Sequence, residues 1–145
     1  LRQAGLNPSK DHWAEGNWSS SSAALAMQQL MEQYPGMDAV FVANDQMALS
    51  ALQAASQRGL RMPQDLGVVG FDGIPEAAYF WPPLTTVDQD QHQLGQLAVR
   101  ELAMMVEADQ DERPGPEPKV TLIQPRLIVR QSSLRKYILE KEIIQ

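Results

Sequence analysis

The sequence predicts an α/β fold in which a parallel sheet is flanked by helices. Three observations carry that prediction. Residues 39–43 are apolar at every position and 66–71 hold no polar side chain, the pattern of strands covered on both faces. Between these runs lie segments with apolar residues three and four apart, as amphipathic helices require. The two kinds of segment alternate, and alternation calls for parallel strands joined by right-handed crossovers.

Taken in order, Ser19 to Ser22 can cap a helix running to about Tyr34, with Ala23, Met27, Leu30, Met31 and Tyr34 on one face. Pro35-Gly36 stops it. The run 39–43 follows as the first strand. A second helix spans about 45–58 and buries Ala48, Leu52 and Ala55, with Gly59 in the C′ position that favours left-handed backbone. Pro63-Gln64-Asp65 turns into the strand 66–71. Residues 75–80 form one short helical turn, and Pro82-Pro83 forces an extended connection into a third strand at 84–87. A long helix covers about 91–107 with Leu94, Leu97, Ala98, Leu102 and Met105 on one side. Residues 113–118 read as a loop. Residues 120–123 and 127–130 are candidate strands, kept apart by Pro125, which a central strand does not hold.

The length of 145 residues fits one domain or two small lobes. At 43% hydrophobic and 21% charged, the composition is that of a globular protein and not of a disordered tail. Eighteen acidic against 12 basic residues leave a net charge of −6, with no clustered basic face. By itself this chain is therefore a poor partner for duplex DNA. The absence of cysteine excludes disulfides, thiolate metal sites and cysteine nucleophiles. No apolar run approaches the ~20 residues of a membrane helix, so no membrane partner is expected. Neither end reads as a signal peptide, and the opening at Leu1 in place of Met reads as that of a piece of a longer polypeptide. No phosphate-cradling glycine motif or nucleophile elbow occurs. His12 and His92 lie far apart, without partners for a metal site or a triad, and are expected to face solvent. No catalytic residue, metal or cofactor is expected.

In parallel sheets, ligands sit beyond the carboxyl ends of the strands. Asn44 follows one apolar run and Asp72 the next, so both should project from one rim into one crevice. Asp72 has two readings. It is a turn aspartate bonding its own backbone ahead of Gly73, or a carboxylate accepting hydrogen bonds from vicinal hydroxyls of a small polar ligand, which its strand-end position favours. Asn44 offers a donor and an acceptor together, which suits a hydroxyl, while its spacing suits a helix cap for which Asp45 competes. Trp13 and Trp18 flank an acidic loop. A tryptophan is ordinarily core or partly buried surface, and it is also the side chain that best covers the apolar face of a sugar ring. Trp81, beside Pro82, reads as packing.

Several of these stretches are familiar as a set. Val42-Ala43-Asn44-Asp45-Gln46-Met47-Ala48-Leu49, Gly59-Leu60-Arg61, Val68-Val69-Gly70-Phe71-Asp72, Pro82-Pro83-Leu84-Thr85-Thr86-Val87 and Gln89-Asp90 resemble, in order and spacing, the lactose-repressor (LacI/GalR) family of transcription regulators. The match runs from about Trp18 to Gln96, and Leu127-Ile128-Val129-Arg130-Gln131-Ser132 is similar to the family's closing strand. The resemblance implies a periplasmic-binding-protein-like (type I) core of two α/β lobes, of which this chain is the C-terminal part. On that basis residues 1–88 form the carboxy-terminal lobe, 89–119 cross to the other lobe and return, and 120–145 supply closing strands and the tail. The first strand of the lobe would lie upstream of Leu1, so this chain alone is expected to be incomplete, with an unpaired neighbour position beside Val40 and the apolar stripe of the 91–107 helix exposed.

Carried over by resemblance, Asn44 and Asp72 bind the effector through hydrogen bonds and Trp18 forms an aromatic wall. Gln89 is a polar residue at the crossover, and Leu94 an apolar contact from the other lobe. Gln91 stands where the family's type member carries an aromatic contact, and Gly73 where it carries a second acid, so a galactoside is less well matched than a carbohydrate or polyol in general. The resemblance implies a cytoplasmic repressor without catalytic function. Its effector is a small molecule of carbohydrate type, and it meets operator DNA through an upstream headpiece. A periplasmic sugar-binding protein is the alternative, and a glycosidase using Asp72 with Asp88 or Asp90 a further one. A homodimer is expected through the apolar surface at the end of the second helix and Tyr79-Phe80-Trp81, with Leu49 and Phe80 at the interface. The tail 134–145 is too short for a sustained heptad, so no coiled-coil tetramer is expected.

Overall fold

Local signals place the first helix where the sequence put it. In the computed structural model, which describes residues 12–111 and 119–135 together with 3, 5, 114, 115 and 117, α1 spans Ser20–Gln33. Its N-cap is Ser19, whose Oγ accepts the Ser22 N–H at 3.2 Å. Ala23, Met27, Leu30 and Met31 form its buried face. The second helix, α2 (Asp45–Gln57), is capped by Asn44, whose Oδ1 accepts the Met47 N–H at 2.7 Å. It ends at Gly59, where φ is +78°, a conformation glycine adopts without a Cβ penalty. The two helices pack on each other, and the exposed Arg58–Glu32 pair at 2.7 Å between them adds little to stability.

The sheet runs β1 (Ala39–Phe41), β2 (Gly67–Asp72), β3 (Thr85–Asp88) and β4 (Arg126–Ile128), in that spatial order. The pairs β1–β2 and β2–β3 are parallel, in the registers Phe41↔Val69 and Asp72↔Asp88. The connections are those expected, including a 3₁₀ turn over Pro75–Tyr79. β4 is antiparallel to β3 because the chain returns from the last helix through an extended segment and not through a crossover helix. Val40, Val68 and Leu84 join the buried faces of α1 and α2 in the core. Behind β2 and β3 the closing segment is stitched in by Ser132, fully buried, whose Oγ donates to Val68 O at 2.6 Å and accepts the Thr85 N–H at 2.8 Å.

Four expectations require correction. The run at 39–43 is not a strand buried on both faces. Only the side bearing Val40 meets the helices, while Phe41 is 62% exposed and touches Phe71 edge to face; the place of β1 at the edge of the described sheet is the one expected of the strand at Val40. Residues 120–123 are not a strand, and Val120 and Leu122 are each 88% exposed. That segment lies along the third helix, where Lys119 pairs with Glu101 at 2.9 Å. A helix spends its backbone donors internally and offers no ladder to a strand. Trp81, expected to pack, is 90% exposed. The third helix, α3 (Gln91–Gln110), runs one turn beyond the expected end; the exposure of Leu94, Leu102 and Met105 along it is the one expected of this chain by itself. No helix among the described residues is long and apolar enough to cross a membrane. The loop at 113–118 and the tail from 134 lie largely outside the described residues.

Candidate functional site

Two glycines and a buried carboxylate build the end of β2. Gly70 faces Asp45, and a Cβ there would collide with Asp45 Oδ1 and stand 2.9 Å from Leu84 Cδ2. Glycine in a strand marks such a close approach. Gly73 turns the chain with φ +76°, and a Cβ there would lie 2.7 Å from Asp88 Cα. Between them Asp72 has φ +112°, a conformation that costs a non-glycine residue about 1–3 kcal/mol and persists only where its surroundings impose it. The surroundings are the side chain of Asp45, which is fully buried at the first position of α2. Asp45 Oδ2 accepts the Gly73 and Ile74 N–H groups at 3.0 and 2.9 Å, and its Oδ1 accepts the Thr86 hydroxyl at 2.7 Å.

This arrangement brings four of the sequence-predicted residues together. Asn44 and Asp72 each lie three residues beyond the last β1–β2 pair, Phe41↔Val69, so they stand side by side at the carboxyl rim. Gln89 follows the end of β3, and its Nε2 donates to Asp72 Oδ1 at 2.8 Å. Asn44 Nδ2 points to the carbonyl of Trp18 at 3.4 Å, while its Oδ1 is committed to the α2 cap. As a ligand group Asn44 therefore offers its N–H and not its oxygen. Trp18, with φ +69°, is 69% exposed. It borders an apolar cavity of about 190 Å³ lined by Ala14, Met27, Phe41 and Met47.

Gln91 and Leu94 are carried on α3. Both are exposed, and Leu94 lines the groove between α3 and residues 117–123. Of the proposed interface residues, Leu49 is exposed on α2. Phe80 is half-buried against the core, with Tyr79 and Trp81 beside it in solvent. His12 stacks on Tyr34 and His92 bonds Gln96, both exposed as expected. No group of three His, Cys, Asp or Glu among the described residues is arranged to hold a metal.

Electrostatics separate the carboxylates of the rim. Burial pushes the Asp72 carboxyl above its ordinary value, the charge of Asp45 adds to that, and the Gln89 amide partly offsets it. Asp88 is held below the ordinary range by the Asp90 N–H and by Arg126, which pairs with its Oδ2 at 2.9 Å. Asp72 thus presents a half-buried acceptor toward solvent, and Asp88 is engaged by its neighbours. Asp45 escaped sequence reasoning, which saw only a rival for the helix cap. The signal that could have found it is Gly70, a strand glycine whose missing side chain leaves room for a neighbour.

Comparison with known proteins extends the pattern over most of the chain. The family model of the periplasmic binding protein-like domain matches residues 1–133. The chain is similar to the HTH-type transcriptional repressor PurR of Edwardsiella ictaluri, 35% identical over 132 residues, which is 91% of this chain and 37% of that protein. Among solved structures, the transcriptional regulator CelR–cellobiose complex superposes with a TM-score of 0.80 at 34% identity, covering 92% of this chain and 39% of that one. The Lac repressor dimer bound to operator and the anti-inducer ONPF gives 0.70 at 35% identity, covering 83% and 40%. The chain spans well under half the length of these relatives.

Proposed function

The chain belongs to the periplasmic binding protein-like domain family, among the LacI-type transcription regulators, and from that premise we propose that it senses a small polar effector, a carbohydrate or related polyol. The observation that carries this reading is the row of Asn44, Asp72 and Gln89 at the carboxyl ends of three successive parallel strands, joined by the 2.8 Å Gln89–Asp72 bond. Asp72 Oδ2 accepts effector hydroxyls, the Asn44 amide donates to one, and Trp18 covers the apolar face of the ring. Residues 1–88 belong to one lobe, 89–119 reach to a second through Gln91 and Leu94, and 120–145 return. An effector held by both lobes favours one arrangement of them and shifts the operator affinity of a DNA-binding segment outside these residues. The regulator works as a homodimer in the cytoplasm, with Leu49 and Phe80 near the interface, and has no catalytic role. The Lac repressor dimer on its operator and the cellobiose complex of CelR support this reading.

The test is calorimetric titration of the full-length protein and its Asp72→Ala variant with cellobiose, lactose and ribose. One sugar should bind the wild type. The variant should lose about 2–4 kcal/mol, or roughly 30- to 700-fold in affinity, the worth of charge-assisted hydrogen bonds to two hydroxyls. Equal binding by both proteins would refute the role of Asp72. Turnover of chromogenic glycosides at enzymatic rates would replace the sensor by an enzyme.

A further inference from the structure

A buried carboxylate with no part in the proposed contacts stands behind the rim. We propose that Asp45 is the positioning residue of the effector site, its side chain holding the 72–74 turn so that the Asp72 carboxylate stands at the rim beside Asn44. This rests on the reading of Asp72 as an effector-binding group.

Three features of the structure carry the inference. Asp45 is fully buried, yet all three of its partners lie far along the chain and on other elements: the Gly73 and Ile74 amides after β2, and the Thr86 hydroxyl on β3. Gly73 N–H also approaches Thr86 Oγ1 at 3.3 Å, so the same hydroxyl touches both the turn and the carboxylate that holds it. Gly70 leaves the space in β2 that admits the carboxylate. These contacts fix the two residues that follow Asp72, whose φ of +112° a free chain would not keep. Asp45 is also the neighbour of Asn44 in sequence. One side chain therefore sets the spacing between the two proposed effector groups, at the junction where α2 begins.

The charged and titratable groups around Asp72 are few. α2 contributes Asp45, and β3 contributes its register partner Asp88, which Arg126 of β4 neutralises. Gln89, uncharged, is bonded to it directly. Replacing Asp45 by asparagine thus removes the negative charge that acts on Asp72 and weakens the hold on the turn.

The experiment uses isotopically labelled full-length protein, wild type and Asp45→Asn, and two readouts that need no ligand. Amide hydrogen exchange at Gly73 and Ile74 should accelerate at least tenfold in the variant, while Val68 and Val69 in β2 keep wild-type rates. The side-chain carboxyl signal of Asp72 should titrate at lower pH than in the wild type. Thr86→Val, which removes one of the three donors, should shift the exchange rates of Gly73 and Ile74 in the same direction by less, and it serves as the second variant if Asp45→Asn does not fold. Unchanged exchange at Gly73 and Ile74, or acceleration spread evenly over β2, would overturn the proposal, and so would an unmoved Asp72 titration. Cellobiose titration separates the two readings. Binding lost in Asp72→Ala but kept in Asp45→Asn overturns the positioning role alone. Binding kept in Asp72→Ala overturns the effector role of Asp72 and leaves the exchange results to decide what Asp45 holds.

Discussion

Replacing Asp72 by asparagine should move binding and stability in opposite directions. Gln89 Nε2 occupies Asp72 Oδ1 at 2.8 Å, so an asparagine keeps its oxygen on that bond and turns its NH₂ outward, where Oδ2 had been. Effector hydroxyls can rotate to accept from it, and the shape of the site is kept. What is lost is charge assistance, about 1 kcal/mol for each of two hydroxyls, or roughly 30-fold in affinity. Wild-type affinity should also fall as pH drops through the raised pKa of Asp72, and the variant should show no such dependence. Stability runs the other way. Burial raises the Asp72 carboxyl in the folded chain, so the folded state holds that proton more tightly than the unfolded one. The stabilisation this provides is complete below the ordinary value of 3.8 and is lost as pH rises through the folded pKa. Removing the ionisation should therefore make the variant melt above the wild type at pH 7, with the difference vanishing below pH 3.8. Isothermal titration and urea unfolding, each followed from pH 3 to pH 7, measure these effects. Binding unchanged within twofold, together with a variant less stable than wild type at pH 7, would refute the reasoning.

Gly70→Ala should cost about 1–3 kcal/mol in urea unfolding, since the added methyl meets Asp45 Oδ1 and Leu84 Cδ2 in a packed interior; a neutral result would mean that the Asp45 side chain moves freely. Ser132→Ala should cost about 2–4 kcal/mol because it strands the Val68 carbonyl and the Thr85 N–H, both served by one buried hydroxyl. In a variant keeping only Trp18, with Trp13 and Trp81 replaced by phenylalanine, saturating effector should change the fluorescence, and constant emission would remove Trp18 from the wall of the site. If the proposed homodimer forms through the exposed Leu49 and Trp81, the double change Leu49→Asp and Trp81→Asp should make the full-length protein sediment as a monomer at micromolar concentration where the wild type sediments as a dimer.

In the proposed sensing role Asp72 is an acceptor of raised pKa, so effector affinity and chain stability would draw on the same strained turn. The φ of +112° at Asp72 and the half-burial of its carboxyl are both unfavourable to folding. In the proposed arrangement they are maintained by the three donors gathered on Asp45. A site of this kind answers to changes behind it as well as to changes at the contact surface.

What could be read from the sequence was what neighbours along the chain decide. Ser19 and Asn44 cap α1 and α2 because a cap is completed within three residues, and Gly59 ends α2 because its conformation is set by one backbone angle. Periodicity of 3.6 marked the buried faces of both helices, and alternation of strand and helix sent Asn44 and Asp72 to one rim. What escaped depended on partners distant in sequence. The hold of Asp45 on Gly73, Ile74 and Thr86 spans 28, 29 and 41 positions, and nothing local distinguishes a buried carboxylate from a capping one. An apolar run shows that a strand is able to be covered on both faces, yet only the neighbours decide whether it is, and Phe41 is left open. Residues 120–123 have strand composition but lie along a helix, and a strand exists only where another ladder offers its donors and acceptors. The direction of β4 and the exposure of Trp81 were likewise set by where the chain returns, a property of the assembled sheet and not of any window of sequence.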